Sequence, residues 1–600
     1  MVKLASLLVL VNESLLFLAG ICVNYPSHMA GCYPKRAGWL IFLLAALLPP
    51  AKTFAQINTE RSAAQIRVDW NVHRRPFQPV WSYFGYDEPN FTYMKDGKKL
   101  LSELADLSPV PVYVRCHNLL TSGDGTPALK WGSTNVYTED GHGRPVYDWR
   151  IVDSIFDTYI KRGMKPFAEI GFMPEALSRH PKPYRHHWSP GIRYDSVFTG
   201  WAYPPVDYSK WGELVFKWVR HCVERYGTKE VESWRWEVWN EPDIGYWQGT
   251  ADEYFKLYDY AADAVKRALP EAQVGGPAST GPGNTKARSW LRGFLVHCLE
   301  GQNAVTGKKG APLDFISFHA KGSPRIVAGR VQMNMAPQLR DVAAGFEEVR
   351  MSSFKDLPIY ITECDPEGCA ACGMATSPEN AYRNGTLYPA YTAASFARIY
   401  FLAEVYGVRL DGIMSWSFEF EDQKWFNGFR DLATNGIDKP VLNVFRMFGR
   451  MKGYQLGLEN DSVIQLDSVL KNSVHGQRSD IHALAVGSGG KASVMVWNYY
   501  DREGSADTAK VRLTLTNIPG KRVRVRQYLI DETHSNSYEA WKKMGSPQSV
   551  TEEQFEILEK AGRLTEGGPT QTFAVTEEGG LTLSVALSRQ SVCLLEFDAE

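Results

Sequence analysis

Six hundred residues exceed one ordinary domain and leave room for a large barrel with one or two companions. Lys and Arg number 66 against 67 Asp and Glu, which excludes the basic footprint of a nucleic-acid binder or of a protein held on anionic lipid, so a neutral partner is expected. The 18 Trp and 29 Tyr suit both core packing and the stacking of sugar rings, and composition does not separate the two.

Residues 38–48, GWLIFLLAALL, form an apolar run preceded by Lys35 and Arg36 and followed by Thr-Phe-Ala before Gln56. Residues 1–55 therefore read as a signal-peptide region, with Met29 as a plausible true start. The run is short for a transmembrane helix, although an uncleaved anchor is the other reading; with no Cys at the cleavage site, lipidation there is not supported. Secretion or periplasmic export is expected, with no stable membrane association after cleavage. Within residues 56–77 the alternating run Gln65–Asn71, QIRVDWN, is a candidate strand for a distant sheet.

From 78 to 453 short apolar runs alternate with amphipathic segments. The expected strands are Pro79–Tyr86, Val110–His117, Met164–Ile170, Ser233–Glu241, Ala272–Pro277, Leu313–His319, Pro358–Glu363 and Gly407–Trp416, with helical patterns such as WRIVDSIFDTYIKRG and EYFKLYDYAADAVKRAL between them. Eight strands alternating with helices predict an α/β fold, a (β/α)8 TIM barrel with its active site at the strands' C-terminal ends. From 454 to 600, runs such as SVMVWNYY and RVRVRQYLI alternate apolar and polar residues between Gly-rich turns, which predicts a C-terminal antiparallel β-sandwich.

Two strand-end carboxylates stand out. Glu241 ends the fourth expected strand in SWRWEVWNEPD, and Glu363 ends the seventh in PIYITECDP. About three βα units separate them, so one rim can aim both into one mouth. Retaining cleavage of a glycosidic bond needs such a pair about 5–5.5 Å apart, one protonating the leaving oxygen and one attacking the anomeric carbon. Asn240 is placed to bond a hydroxyl beside the reacting carbon, and Pro242 stiffens the turn. Tyr360 and Trp239 are expected to supply an apolar wall that raises the acid's pKa. A lone strand-end Glu is usually a solvated rim charge; Asn-Glu-Pro after an aromatic strand, joined by a second strand-end Glu, points to catalysis.

The motifs VRCHNLL, AEIGFMP, WEVWNEPD, FISFHAKG, YITECDP and SWSFEFED, followed by GIDKPVLNVFRMF and DETHSNSYEAWKKMG, resemble glycoside hydrolase family 39, which includes β-xylosidases and α-L-iduronidases. The resemblance implies Glu241 as acid/base and Glu363 as nucleophile. It places His117, Asn240 and His319 around the sugar, with Trp416 as a ring platform; by themselves both histidines read as core residues. Lys321 sits in an HxKG pattern that in iduronidases puts a lysine on the substrate carboxylate, and otherwise reads as a solvated rim charge. The loop ECDPEGCAACGMATSPENAYRNGTLYPAY departs from the xylosidases, and Asp87 and Glu88 are candidate acceptors for sugar hydroxyls. Both features look closer to members acting on L-arabinofuranose side chains.

Of nine cysteines, Cys22 and Cys32 fall in the leader, and the odd remainder is no disulfide framework. Cys364, Cys369 and Cys372 lack a fourth metal ligand, so one local disulfide or buried thiols are expected, with no metal and no cofactor. The chain is read as a retaining exo-glycosidase acting on plant-type oligo- or polysaccharides. A neutral terminal sugar is expected, arabinofuranose ahead of xylose and a uronide third. A non-catalytic carbohydrate-binding barrel and an endo-acting enzyme are the competing classes.

Overall fold

A computed structural model describes residues 63–600 except 108–109, 190–191, 193–195, 370–371, 477 and 505–507. The signal-peptide region expected at 1–55, with Met29, lies outside the described residues. Eight parallel strands close into a barrel: Tyr83–Tyr86, Tyr113–Cys116, Lys165–Ile170, Arg235–Val238, Gln273–Ser279, Phe315–Lys321, Ile359–Asp365 and Leu410–Ser415, called barrel strands one to eight. Strand eight pairs back to strand one through Met414–Tyr83 and Ser415–Phe84.

Each strand is followed by a covering helix whose ends are written locally. Tyr208–Tyr226 starts where the Asp207 carboxylate accepts from the Ser209 and Lys210 amides, and it stops at Gly227, φ 90°. Ala251–Ala268 opens on a reciprocal Thr250/Glu253 capping box. Leu387–Tyr406 is buried along most of its length, because barrel and second sheet cover opposite sides of it; Arg398 reaches across to Asp480 at 2.7 Å.

Inside the barrel, Tyr83, Phe167, Phe315, Tyr360, Met414 and Trp416 pack into one cluster. Phe167 meets Phe315 and Tyr360 edge to face, with centroids 5.5 and 5.3 Å apart. These rings fill the interior, so the chemistry is confined to the rim above them.

Ten strands form a second sheet, antiparallel apart from one pair. The N-terminal strand Ala64–Pro76 lies in it, antiparallel to Tyr454–Asn460 and parallel to Ala509–Thr516. The sheet curls so that Trp70 meets Phe597, centroids 6.5 Å apart, enclosing a core that includes Val68, Val494, Leu513 and Val523. Residues 62–600 form a single compact unit, to which Leu387–Tyr406 and the Arg450–Glu596 ion pair (2.9 Å) contribute. Among the described residues no helix is long and apolar enough to cross a membrane.

Most strands are bounded differently from expectation; strands five, six and seven, for example, run two residues further, to Ser279, Lys321 and Asp365. Strand one is confined to Tyr83–Tyr86, and strand four stops at Val238 because Trp239 and Glu241 turn to φ 72° and 43°. Left-handed backbone breaks the extended repeat, and for side chains this large it costs about 1–3 kcal/mol each.

Candidate active site

Glu241 lies three residues beyond strand four, its backbone N–H donating to Ala278 O at 2.9 Å. Ala278, itself turned to φ 50° near the end of strand five, thus holds the bend at Glu241 in place. Glu363 belongs to strand seven and is 6% exposed. Oxygen atoms of these two carboxylates and a ring nitrogen of His319 all lie within 4.8 Å of one another, and His319 Nδ1 is 2.9 Å from Glu241 Oε1.

Glu363 sits in a cage of cations. Arg115 Nη1 and His117 Nε2 each approach Oε1 at 3.4 Å, while Lys321 Nζ is 2.9 Å from Oε2. Burial opposes ionisation, but His319, Lys321 and His117 outweigh it and hold the Glu363 carboxyl well below the usual range. The resting group is therefore an anion, as a nucleophile requires. The same three residues Glu241, His319 and Glu363 are the only potential metal-ligand cluster among the described residues. They do not fit a metal: a carboxylate already matched by a guanidinium, an ammonium and an imidazole repels a further cation.

The cage is anchored from behind. Glu169 and Glu237 are direct neighbours across strands three and four, and Arg115 bridges them, Nη2 to Glu169 at 2.8 Å and Nε to Glu237 at 2.5 Å. Arg115 Nη2 also donates to Asn240 Oδ1 at 2.9 Å, which fixes the amide with its NH2 as the half left for a substrate hydroxyl. Lys321 is no solvated rim charge: its Nζ is 2.6 Å from Asp365 Oδ2, and its side chain is 20% exposed.

Trp416 differs from the expected open platform. It is 2% exposed, its backbone N–H donates to Asp365 Oδ1 at 2.9 Å and its indole N–H to Asp87 Oδ1 at 3.0 Å. A Cβ on Gly85 would stand 2.2 Å from the ring, so only glycine admits the indole there. The tryptophan braces two aspartates on opposite sides of Glu363. Asp87 also holds Lys130 at 2.7 Å and faces His117 Nε2 at 3.2 Å; the Lys130, Arg430 and His117 cations overcome the effect of burial and keep it ionised far below the ordinary range. Glu88 is enclosed one step further back, accepting from the Lys130 amide at 2.7 Å and Arg430 Nη2 at 2.6 Å. Its surroundings make it an anchor for Arg430, where the sequence had suggested a hydroxyl acceptor.

Cys369 and Cys372 form a disulfide in the loop after Glu363, and the other described cysteines are buried thiols. Arg383 ties that loop down, donating to the carbonyls of Cys369, Cys372 and Gly428 at 3.0–3.2 Å and pairing with Glu367. Lys321, Asp365, Arg383, Tyr388, Trp416 and Arg430 line a cavity of about 10 Å³, room for one water.

Arg115, Glu169, Glu237, Asp365 and Lys130 were not singled out from the sequence. A signal existed for the first three: each is a charge flanked on both sides by apolar residues within a barrel strand (YVRC, KPFAEI, RWEV), and such a charge must find a partner in the barrel.

A β-xylosidase of Geobacillus stearothermophilus is 29% identical over 514 residues, covering 81% of this chain and 86% of the relative. An α-L-iduronidase of Mus musculus is 27% identical over 369 residues, 58% of this chain and 55% of the relative. The crystal structure of a monomeric β-xylosidase from Caulobacter crescentus superposes with a TM-score of 0.70 at 23% identity, covering 90% of this chain and all of that one, a likeness of fold. The model of glycosyl hydrolases family 39 matches residues 64–573, a span that takes in both carboxylates, the cation cage and most of the second sheet, and the chain belongs to that family.

Proposed function

We propose that the chain is a retaining exo-glycosidase that removes a neutral terminal pentose, a β-xyloside first, with Glu241 as acid/base and Glu363 as nucleophile. The observation that carries this reading is the approach of the two carboxylates to within 4.8 Å. Retaining enzymes hold the pair at about 5–5.5 Å, whereas inverting ones leave about 6.5–9.5 Å for a water. Glu363, ionised in its cage, attacks the anomeric carbon while Glu241 protonates the departing oxygen; Glu241 then deprotonates the water that releases the sugar. Asn240, its oxygen held by Arg115, offers N–H to the hydroxyl next to the reacting carbon.

Lys321, Arg383 and Arg430 all line the cavity beside Glu363, and this favours a uronide as the second reading. Yet each cation is already matched by an acid, Lys321 by Asp365, Arg383 by Glu367 and Arg430 by Glu88. A substrate carboxylate entering there meets compensated charge, so a neutral sugar fits better. The β-xylosidase relative moves xyloside ahead of the arabinofuranoside expected from sequence. Export to the periplasm or the medium is part of the same reading, resting on the apolar run at 38–48.

The test is proton NMR of the first product released from an aryl β-xyloside, together with mass spectrometry of peptides after trapping with an activated 2-fluoro-xyloside. β-Xylose as first product and one glycosyl unit on Glu363 are expected. α-Xylose first, or a label on another residue, overturns the mechanism; turnover of uronides alone overturns the substrate.

A further inference from the structure

We propose that Glu169 is a positioning residue of the nucleophile: one of its oxygens orients His117 and Arg115 together and keeps the His117 ring doubly protonated, so that both cations present a donor to Glu363. The proposal rests on Glu363 as nucleophile.

The geometry is specific. Glu169 Oε2 lies 2.6 Å from His117 Nδ1 and 2.8 Å from Arg115 Nη2. The far side of each cation reaches Glu363 Oε1, through His117 Nε2 and Arg115 Nη1. Both nitrogens of His117 therefore face acids, Nδ1 toward Glu169 and Nε2 toward Asp87 and Glu363. Ionised carboxylates only accept, so the two contacts together require hydrogen on both nitrogens. A protonated Glu169 would carry its proton on Oε1, a buried atom with no hydrogen-bond partner, or on Oε2 between two cations. Neither is a stable place for it.

The groups around the ring agree on the sign. Glu169 comes from strand three, Asp87 from the turn after strand one with Lys130 behind it, and Glu363 from strand seven; Arg115 precedes the ring on strand two. Trp416, Phe172 and Tyr246 close the remaining sides, centroids 4.5–6.2 Å away. Burial disfavours the charged ring, but Glu169, Glu363 and Asp87 outweigh it and lift His117 to about 9. Burial also raises the Glu169 carboxyl, so its charge depends on both cations, and the two groups titrate as a pair.

Glu169→Gln keeps shape and removes the charge. Its amide oxygen accepts from a neutral ring protonated at Nδ1, and the Nε2 lone pair then faces Glu363, which is repulsive. We expect kcat/KM to fall by about tenfold or more near neutral pH, and its alkaline limb to move to lower pH by about one unit or more, a tenfold change in proton affinity. In a His117→Gln background the same substitution should leave the limb where it is, because the effect runs through the ring. An unmoved alkaline limb in folded Glu169→Gln, or an equal shift without His117, overturns the proposal. Should the variant not fold, ring 15N resonances of His117 in the wild-type chain decide the matter: two protonated nitrogens at pH 7 are expected, and a neutral ring overturns it. That readout needs no turnover, so an imidazolium found without glycosyl transfer to Glu363 would count against the proposed mechanism alone.

Discussion

Lys321→Ala removes one of the three cations touching Glu363. At 2.9 Å and an effective dielectric constant of about 20, the gross attraction is about 6 kcal/mol. Much of that is offset, since Arg115 and His117 remain, water enters the vacated space, and Asp365 loses its own ion pair. An opposite charge at this range ordinarily lowers a carboxyl by about 1–3 pKa units, so its loss should raise Glu363. The sign follows from a depressed folded value: the group is ionised, and contributes stability, above its unfolded pKa, and that contribution is lost as pH falls through the folded one. In the variant that loss comes at higher pH, as does the loss of nucleophile. The acid limb of kcat/KM on an aryl β-xyloside should accordingly move up by about 1–2 pH units, while the rate at neutral pH changes less. An acid limb that stays in place refutes the cage as the source of the low carboxyl value. The same variant tests the sugar: if wild type prefers uronides and Lys321→Ala loses that preference by about tenfold, about 1.4 kcal/mol, the neutral-pentose reading is wrong.

Glu241→Gln should lose most activity on substrates with poor leaving groups and least on activated aryl glycosides, and azide should rescue Glu241→Ala on the latter; rescue of Glu363→Ala alone would exchange the two roles. The double variant Cys369→Ser with Cys372→Ser should retain kcat, as should wild type in chelator, because proton transfer and attack use carboxylates alone; zinc tracking with activity would contradict this. Trp416→Phe should lower stability by about 1–3 kcal/mol in thermal melts through the lost indole bond to buried Asp87, and an unchanged melting temperature would remove its role as a brace. Arg398→Met leaves Asp480 buried and unpaired, which should cost about 3–5 kcal/mol at neutral pH. Against burial, Arg398 and His482 hold Asp480 below the ordinary range, so this cost should shrink as pH falls and the carboxyl is protonated; a pH-independent cost in urea titrations would refute it.

The barrel was legible because the strands are largely apolar runs bounded by turns and most helices carry a 3.6-residue pattern, both local properties of the chain. The proximity of the two glutamates was legible for a related reason: Asn240-Glu241-Pro242 and Thr362-Glu363 sit where apolar strands end, and a parallel barrel puts all such ends on one rim. Strand four's end was misjudged by three residues because nothing local announces left-handed backbone at Trp239 and Glu241.

What the linear order could not supply is partnership across the barrel. Whether Lys321 meets water, a substrate or Asp365 depends on the neighbouring strand seven, and Trp416 becomes a brace because Gly85, from strand one, opens space beneath its ring. Arg115, Glu169 and Glu237 stand on three separate strands, and their charges are tolerable only together, since each buried ion needs the others' donors or acceptors to offset desolvation. The sequence by itself thus determined the scaffold, the two carboxylates and the class of reaction, through local patterning. The tertiary structure alone decided the charge state of Glu363 and the charge a ligand meets beside it, because electrostatic energy in a buried site depends on distances between residues far apart in the chain.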